Sequence, residues 1–417
     1  MSAPRAPRWL DPSSPPHLFT LVALAALGAL NMNAFLPSLP GMAADFAADY
    51  AVVQLAVSAY LAMTGALQLV IGPLSDRYGR RPVLIGCLGV FLFATACCVV
   101  APTVEVFLFF RLLQSAVVSG LVLSRAIVRD MVGGAAAASR IGYVTMGMAV
   151  APMIGPALGG FLDEAVGWRG VFAGLFTLGV ATLLLTLADL GETNPHAGQS
   201  FGEQFRAYPE LMRSRRFWGY ALTSAFASGA FFAFLGGAPY VASEILGMSP
   251  SETGAYFGII AAGYLIGNFL SGRFTQVVGL TGMMLAGSVT AVAAMVAATA
   301  GFHAGLVHPM TLFGTVFFVG LGNGLTMPSA MAGSLSVRPK LAGVAAGFGG
   351  ALMIGGGAAL SAWAGALLGP GTGPYPLLYV MAGASALAVV STLYVMAIDR
   401  LAGPAHDVRT AEPLGAR

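Results

Sequence analysis

The stretch IGPLSDRYGRRPVL, Ile71 to Leu84, sets three arginines and one aspartate between two of the most apolar runs of a 417-residue chain. Charge is scarce elsewhere. Charged residues make up 9% of the chain against 57% hydrophobic, and the mean hydropathy is +0.81, whereas soluble domains carry about 25% charge. A short charged turn between two long apolar runs is the pattern of a loop at a membrane face, and this one sets the frame for reading the rest.

Spans of about 20 apolar residues fall near 17–40, 50–74, 83–101, 105–126, 139–162, 169–190, 217–242, 253–277, 281–302, 308–331, 342–368 and 374–398. They are too long for barrel strands, so helices are the spanning element. An all-α membrane protein of twelve transmembrane helices is expected. No short h-region with a small-residue cleavage site follows Arg5 and Arg8, so the first run is expected to remain as a span. The cysteines, Cys87, Cys97 and Cys98, all lie in the third span and say nothing of redox compartment.

With both ends cytoplasmic, only Arg111 and Arg169 among the 20 lysines and arginines lie away from the inner face, which is the positive-inside pattern. The net charge of +3 is spread over separate segments at that face, so no nucleic-acid partner is expected. The longest polar stretch, GETNPHAGQSFGEQFRAYPELMRSRR, divides the chain. The expected organisation is a cytoplasmic tail 1–16, a six-helix bundle 17–190, a cytoplasmic linker 191–216, a second bundle 217–398 and a cytoplasmic tail 399–417. The bundles read as diverged copies. YLAMTGALQLVIGPLSDRYG from Tyr60 and YFGIIAAGYLIGNFLSGRFT from Tyr256 share their first Tyr, a Leu-Ser pair and an Arg at one offset, and FFRLLQ at 109–114 faces FFVGLG at 317–322. Two pseudo-symmetric bundles around a central site are what solute transporters use.

Within the opening stretch, Gly72 and Gly79 are expected to allow a tight turn, and Asp76 to meet a helix N-terminus or a nearby arginine in one conformation only. The pattern G-x-L-S-D-R-x-G-R-R-P, Gly72 to Pro82, resembles the signature loop of the major facilitator superfamily. RLLQSAVVSGLVLSRAIVRD (Arg111 to Asp130) and GYVTMGMAVAPMIGPALGG (Gly142 to Gly160) are similar to the fourth- and fifth-span signatures of its drug-efflux transporters. The ending AIVRD resembles the bicyclomycin/chloramphenicol-resistance branch. The resemblance implies the major facilitator fold, alternating access, a gating loop comprising Gly72, Asp76, Arg77, Gly79, Arg80, Arg81 and Arg129, and proton-driven export of small drugs across a bacterial inner membrane.

Read from the residues alone, Pro152 and Pro156 each remove an N–H from the fifth span, which is expected to bend. Gly155, Gly159 and Gly160 give it a small-residue face for close helix contact. Arg111 is the basic residue well inside a span and a functional candidate for that reason. It lies about 9 Å in from Glu105 at a rise of 1.5 Å per residue, at a depth similar to Asn33, and an Arg111–Asn33 hydrogen bond is expected. Asn31, Gln114 and Ser115 complete the candidate coupling group. Gln68, Tyr60, Tyr256, Tyr264, Asn268 and Asn323 are weaker cavity candidates.

One departure from the family pattern bears on coupling. Where the branch has D-M-Y-L-P, this chain has Asn33-Ala34-Phe35-Leu36-Pro37. No other acidic residue or histidine lies deep in a span, so the residues supply no titratable midplane group for the proton that the resemblance implies. No cofactor and no metal are expected, and an intramembrane enzyme is disfavoured because no paired acid, base or metal cluster appears in the spans. The expected function is export of neutral or weakly anionic amphiphiles, drug or metabolite, by a monomer in the lipid bilayer, with the proton as candidate co-substrate. A facilitator or uptake permease for a small metabolite is the alternative.

Overall fold

The computed structural model describes residues 9–12, 14–132, 134–194, 211–338 and 342–401. Most of the expected tails and of the linker 191–216 lie outside the described residues. Among the described residues there is no strand, and eleven stretches are long and apolar enough to cross a membrane. They are α1 (Leu18–Asp45), α2 (Tyr50–Tyr78), α3 (Arg80–Val99), α4 (Val104–Met131), α6 (Trp168–Asp189), α7 (Arg215–Ile245), α8 (Pro250–Val278), α9 (Leu280–His303), α10 (Pro309–Ser336), α11 (Ala345–Leu367, its helix beginning at Ala342) and α12 (Tyr375–Arg400). Helix α5 (Gly134–Val166) lies between α4 and α6 and makes a twelfth of similar length.

Local chemistry sets the boundaries. Helix α8 opens with a capping box, Ser249 and Glu252 bonding reciprocally, with Pro250 in its first turn, where a missing N–H costs nothing. Gly79 at φ +99° separates α2 from α3, because only glycine takes that backbone without strain. Gly72 is a correction: it lies inside α2, which continues helical to Tyr78, and takes no part in the turn. The first span does not end at Pro40. A 3-10 turn at Leu36–Ser38 and a short helix Leu39–Asp45 carry it further, with Pro37 and Pro40 in first turns where proline is tolerated.

Within the first half, α1 packs on α5 and α4, and α3 on α6; within the second, α7 packs on α11 and α12, and α10 on α8 and α9. The halves join through α5 against α8 and α2 against α11. Helix α7 is the most central, with 83% of its apolar window buried against 33% for α3, α6 and α12. Its run of Gly, Ala and Ser explains this, since helices in lipid approach through small residues.

Twelve alternating crossings bring the start of α1 and the end of α12 to one face, here called the terminal face. At the opposite, far end a single apolar core runs through both halves, from Phe35, Leu39 and Val53 to Phe234, Phe257 and Leu377. Toward the terminal face the core divides into separate clusters, one in the first half around Leu24, Leu88 and Ile127 and two in the second around Phe217 and Met284. The molecule is therefore closed at its far end, and its halves part toward the terminal face. There each half is clasped by an aspartate. Asp189, fully buried, accepts from the Leu10 N–H (3.1 Å), the His17 N–H (2.8 Å) and the Thr20 hydroxyl (2.6 Å), tying α6 to the start of α1. Asp399 at the end of α12 pairs with Arg216 at 2.8 Å and accepts from the Tyr220 hydroxyl at 3.1 Å, both at the start of α7.

Candidate functional site

Arg111 sits where α4 changes from α-helix to a 3-10 turn at Gln114–Val117, and it is 1% exposed. Four of its five N–H groups have partners. Nε donates to the Ala56 carbonyl (3.2 Å), Nη1 to Asn31 Oδ1 (3.1 Å) and Gln114 Oε1 (2.6 Å), and Nη2 to the Asn31 carbonyl (3.0 Å). The guanidinium carbon lies 4.2 Å from the ring centre of Phe35 and 4.1 Å from that of Tyr60. A second layer holds the first. Asn31 Nδ2 donates to the Tyr60 hydroxyl at 3.0 Å, and Gln114 Nε2 to the Thr95 hydroxyl at 2.8 Å.

Each of these partners is neutral. A bond from a charged donor is worth about 1.5–3 kcal/mol, so four exceed the roughly 2.5–3.5 kcal/mol cost of placing an arginine in mid-membrane. The stacked rings add cation–π attraction. Arg111, with Gln114 reaching Thr95, thus ties α1, α2, α3 and α4 together as a permanently charged hub without a counter-ion in its contact shell among the described residues.

The expected Arg111–Asn33 bond is not made. Asn33 Nδ2 donates to the Ala29 carbonyl of its own helix at 2.7 Å, and its buried Oδ1 has no partner among the described residues. The reason is helical geometry: residues two apart point about 200° apart, so Asn31 facing α4 turns Asn33 toward Gly155 of α5. Ser115 is also outside the group, since its hydroxyl donates to the Leu112 carbonyl at 2.5 Å.

In the signature loop Asp76 pairs with Arg80, one turn on, at 2.5 Å. Arg80 also reaches Asp130 at 3.1 Å and the Ser75 hydroxyl at 2.6 Å, joining α2, α3 and α4. Arg81 Nε donates to the Leu190 carbonyl at 2.8 Å. Arg77 and Arg129 are exposed and stand apart from this network, Arg77 over the Tyr78 ring and Arg129 bonded back to the Arg125 carbonyl. The α3 N-terminus, one expected partner of Asp76, is taken by Glu192, which accepts from the Arg80 N–H (2.9 Å) and the Arg81 N–H (3.1 Å). A β-carbon on Gly79 would meet that carboxylate.

Helix α5 runs continuously through positions 152 and 156; the side chain of Pro152 lies outside the described residues. Its small-residue face is in close contact. A β-carbon on Gly159 would overlap the Ala34 carbonyl, and one on Gly160 the Pro250 carbonyl of the other half. A β-carbon on Gly155 would make only ordinary contact, at 3.5 Å, with Asn33 and Ala34.

Residues that sequence reasoning passed over include Thr95, Phe35, Glu192 and Gln54, the last fully buried between the halves. Glu192 lies in the polar segment just after α6, 112 residues from the Arg80 N–H that it accepts from. The others are ordinary-looking residues in apolar runs. Among the described residues no group of three or more His, Cys, Asp or Glu is placed to hold a metal ion.

A sequence profile of the Major Facilitator Superfamily matches residues 21–352. An uncharacterized MFS-type transporter, YdgK of Bacillus subtilis (strain 168), is 33% identical over 335 residues, 78% of this chain and 83% of that one. The chloramphenicol resistance protein of Pseudomonas aeruginosa is 33% identical over 237 residues, 56% of each chain. The multidrug resistance protein MdtL of Escherichia coli (strain SMS-3-5 / SECEC) is 28% identical over 77% of this chain and 81% of its own. Among solved structures, a bacterial homolog of the human lysosomal transporter Spinster, inward-facing and occupied, superposes with a TM-score of 0.72 at 18% identity, covering 92% and 96% of the two chains. The human organic anion transporter MFSD10 gives 0.66 at 17% identity, covering 91% and 98%.

Proposed function

We propose that this chain, which belongs to the Major Facilitator Superfamily, exports small amphiphilic compounds by alternating access across a bacterial inner membrane, with both termini in the cytoplasm. The observation that carries the reading is the shape: one core closes the far end through both halves, while toward the terminal face the core divides. With the termini inside, as the distribution of arginines favours, that shape is open to the cytoplasm, where an exporter loads. The names of the chloramphenicol and multidrug resistance relatives support a drug-like cargo.

The electrostatics narrow the cargo. Arg111 is a buried cation held by neutral groups, and all 17 acidic residues lie near span ends or in polar segments. Neutral or weakly anionic amphiphiles suit such an interior better than cations. Family resemblance favours proton coupling, while no carboxylate at mid-depth supports it. The test is accumulation of chloramphenicol in bacterial cells with and without the protein. Export lowers accumulation, whereas raised accumulation establishes the uptake permease instead.

A further inference from the structure

At the far end α2 enters beneath α7 and α11 through two uncharged side chains. The Tyr50 hydroxyl donates to the Gly236 carbonyl at 2.6 Å, and its ring lies 4.9 Å from that of Tyr240. One turn on, Gln54 is fully buried. Its amide spends both N–H groups on one residue of the other half, the Ser361 carbonyl (2.9 Å) and the Ser361 hydroxyl (2.8 Å). Its Oε1 accepts from the Ser58 hydroxyl of its own helix at 3.4 Å.

The slot around this amide is cut by two glycines of the second half. A β-carbon on Gly236 would overlap the Gln54 nitrogen, and one on Gly365 would come within 2.5 Å of its oxygen. We infer that Gln54 is a positioning residue of transport, a neutral latch seated in the Gly236–Ser361–Gly365 slot that holds the far gate closed and sets the ratio of the two access states. This rests on the alternating-access reading above.

The physical consequence follows from the groups being neutral. Withdrawing a carboxamide from a carbonyl and a hydroxyl exchanges protein hydrogen bonds for water at a modest net cost. Separating a buried ion pair leaves uncompensated charge and costs far more. A gate closed this way is strong enough to bias the resting state and weak enough to open each cycle, and its strength does not change with salt. A charged contact between the halves, the Ser251 N–H to Glu164 at 3.3 Å, is exposed and belongs to the rim.

The test reads access, not transport. In a background lacking Cys87, Cys97 and Cys98, distances are measured between spin labels on two pairs of exposed positions, Val52 with Val307 at the far end and Tyr78 with Val278 at the terminal end. Gln54→Leu keeps the bulk and loses both donors; the far-open population rises about tenfold, the scale of one to two lost neutral hydrogen bonds, and the terminal pair shortens in step. Gly365→Ala, which fills the slot while leaving Gln54 intact, shifts the ratio in the same direction. Gln54→Ala with Gly365→Ala goes no further than Gln54→Ala alone, because the first change makes room for the second. Ser361→Ala, a milder change, gives a smaller shift and serves if Gln54→Leu does not fold. Unchanged distances in these variants, or additive shifts in the double variant, overturn the latch. Shifted distances in a protein that exports no drug uphold the latch and overturn only the export reading.

Discussion

Arg111 accounts for more of this molecule than any other residue, because it is charged, 1% exposed and satisfied without a carboxylate. A lysine brings a compact ammonium that cannot span Ala56, Asn31 and Gln114 together. Arg111→Lys is expected to lose at least about 2 kcal/mol, since acceptors stranded by a missing charged donor cost roughly 1–3 kcal/mol each. Thermal unfolding of the purified protein measures it, and drug export should fall with it. The two asparagines separate along the same line. Asn31→Ala removes two functions, the Arg111 acceptor and the Tyr60 donor, and should destabilise strongly. Asn33→Ala removes one intrahelical bond together with an Oδ1 that has no partner among the described residues, and is expected to change the melting temperature little. Equal effects would show that the arginine does not depend on Asn31.

Elements are held by their ends. Glu192 closes the α3 N-terminus and fixes the segment after α6 against the signature loop, so Glu192→Ala should cost about 0.5–2 kcal/mol, the range for a lost N-cap. Thermal unfolding beside wild type reads it. The glycines of two motifs are predicted to behave oppositely. Gly72 has nothing within 4 Å of where a β-carbon would stand, whereas at Gly160 that carbon overlaps the Pro250 carbonyl across the half-to-half contact. Gly72→Ala should therefore transport normally, and Gly160→Leu should abolish export by keeping α5 and α8 from closing the far gate. Cells challenged with chloramphenicol report both. A resistant Gly160→Leu strain would count against that contact as part of the cycle.

For the whole molecule, the chain places permanent positive charge inside the first half and no acid at mid-depth in either. Export is therefore predicted to respond weakly to the proton gradient and to discriminate against cations. Uptake of one neutral and one cationic drug into inverted vesicles, with and without a protonophore, checks this. Strong protonophore inhibition would point to an acid near a span end as the proton carrier, Asp76 or Asp45. Asp45 is engaged by Arg169 at 2.6 Å and by the Trp168 indole at 3.1 Å, in a cluster at the far end of the first half.

Hydropathy and the arginine-rich turns were enough to fix the class of this protein, because the cost of burying an unsatisfied backbone in lipid leaves only helices. They also singled out Arg111 and the Asp76–Arg80 loop, since charge within or beside a span is expensive and thus visible as an exception. Choices among chemically ordinary residues were not legible. Whether Asn31 or Asn33 meets the arginine depends on the rotation of α1, which is set by its packing against α4 and α5. That Glu192 caps α3, that two aspartates clasp the halves and that Gln54 seats between two distant glycines follow from which helix ends and faces meet. Those meetings join positions 100 to 300 residues apart, and no local pattern encodes them.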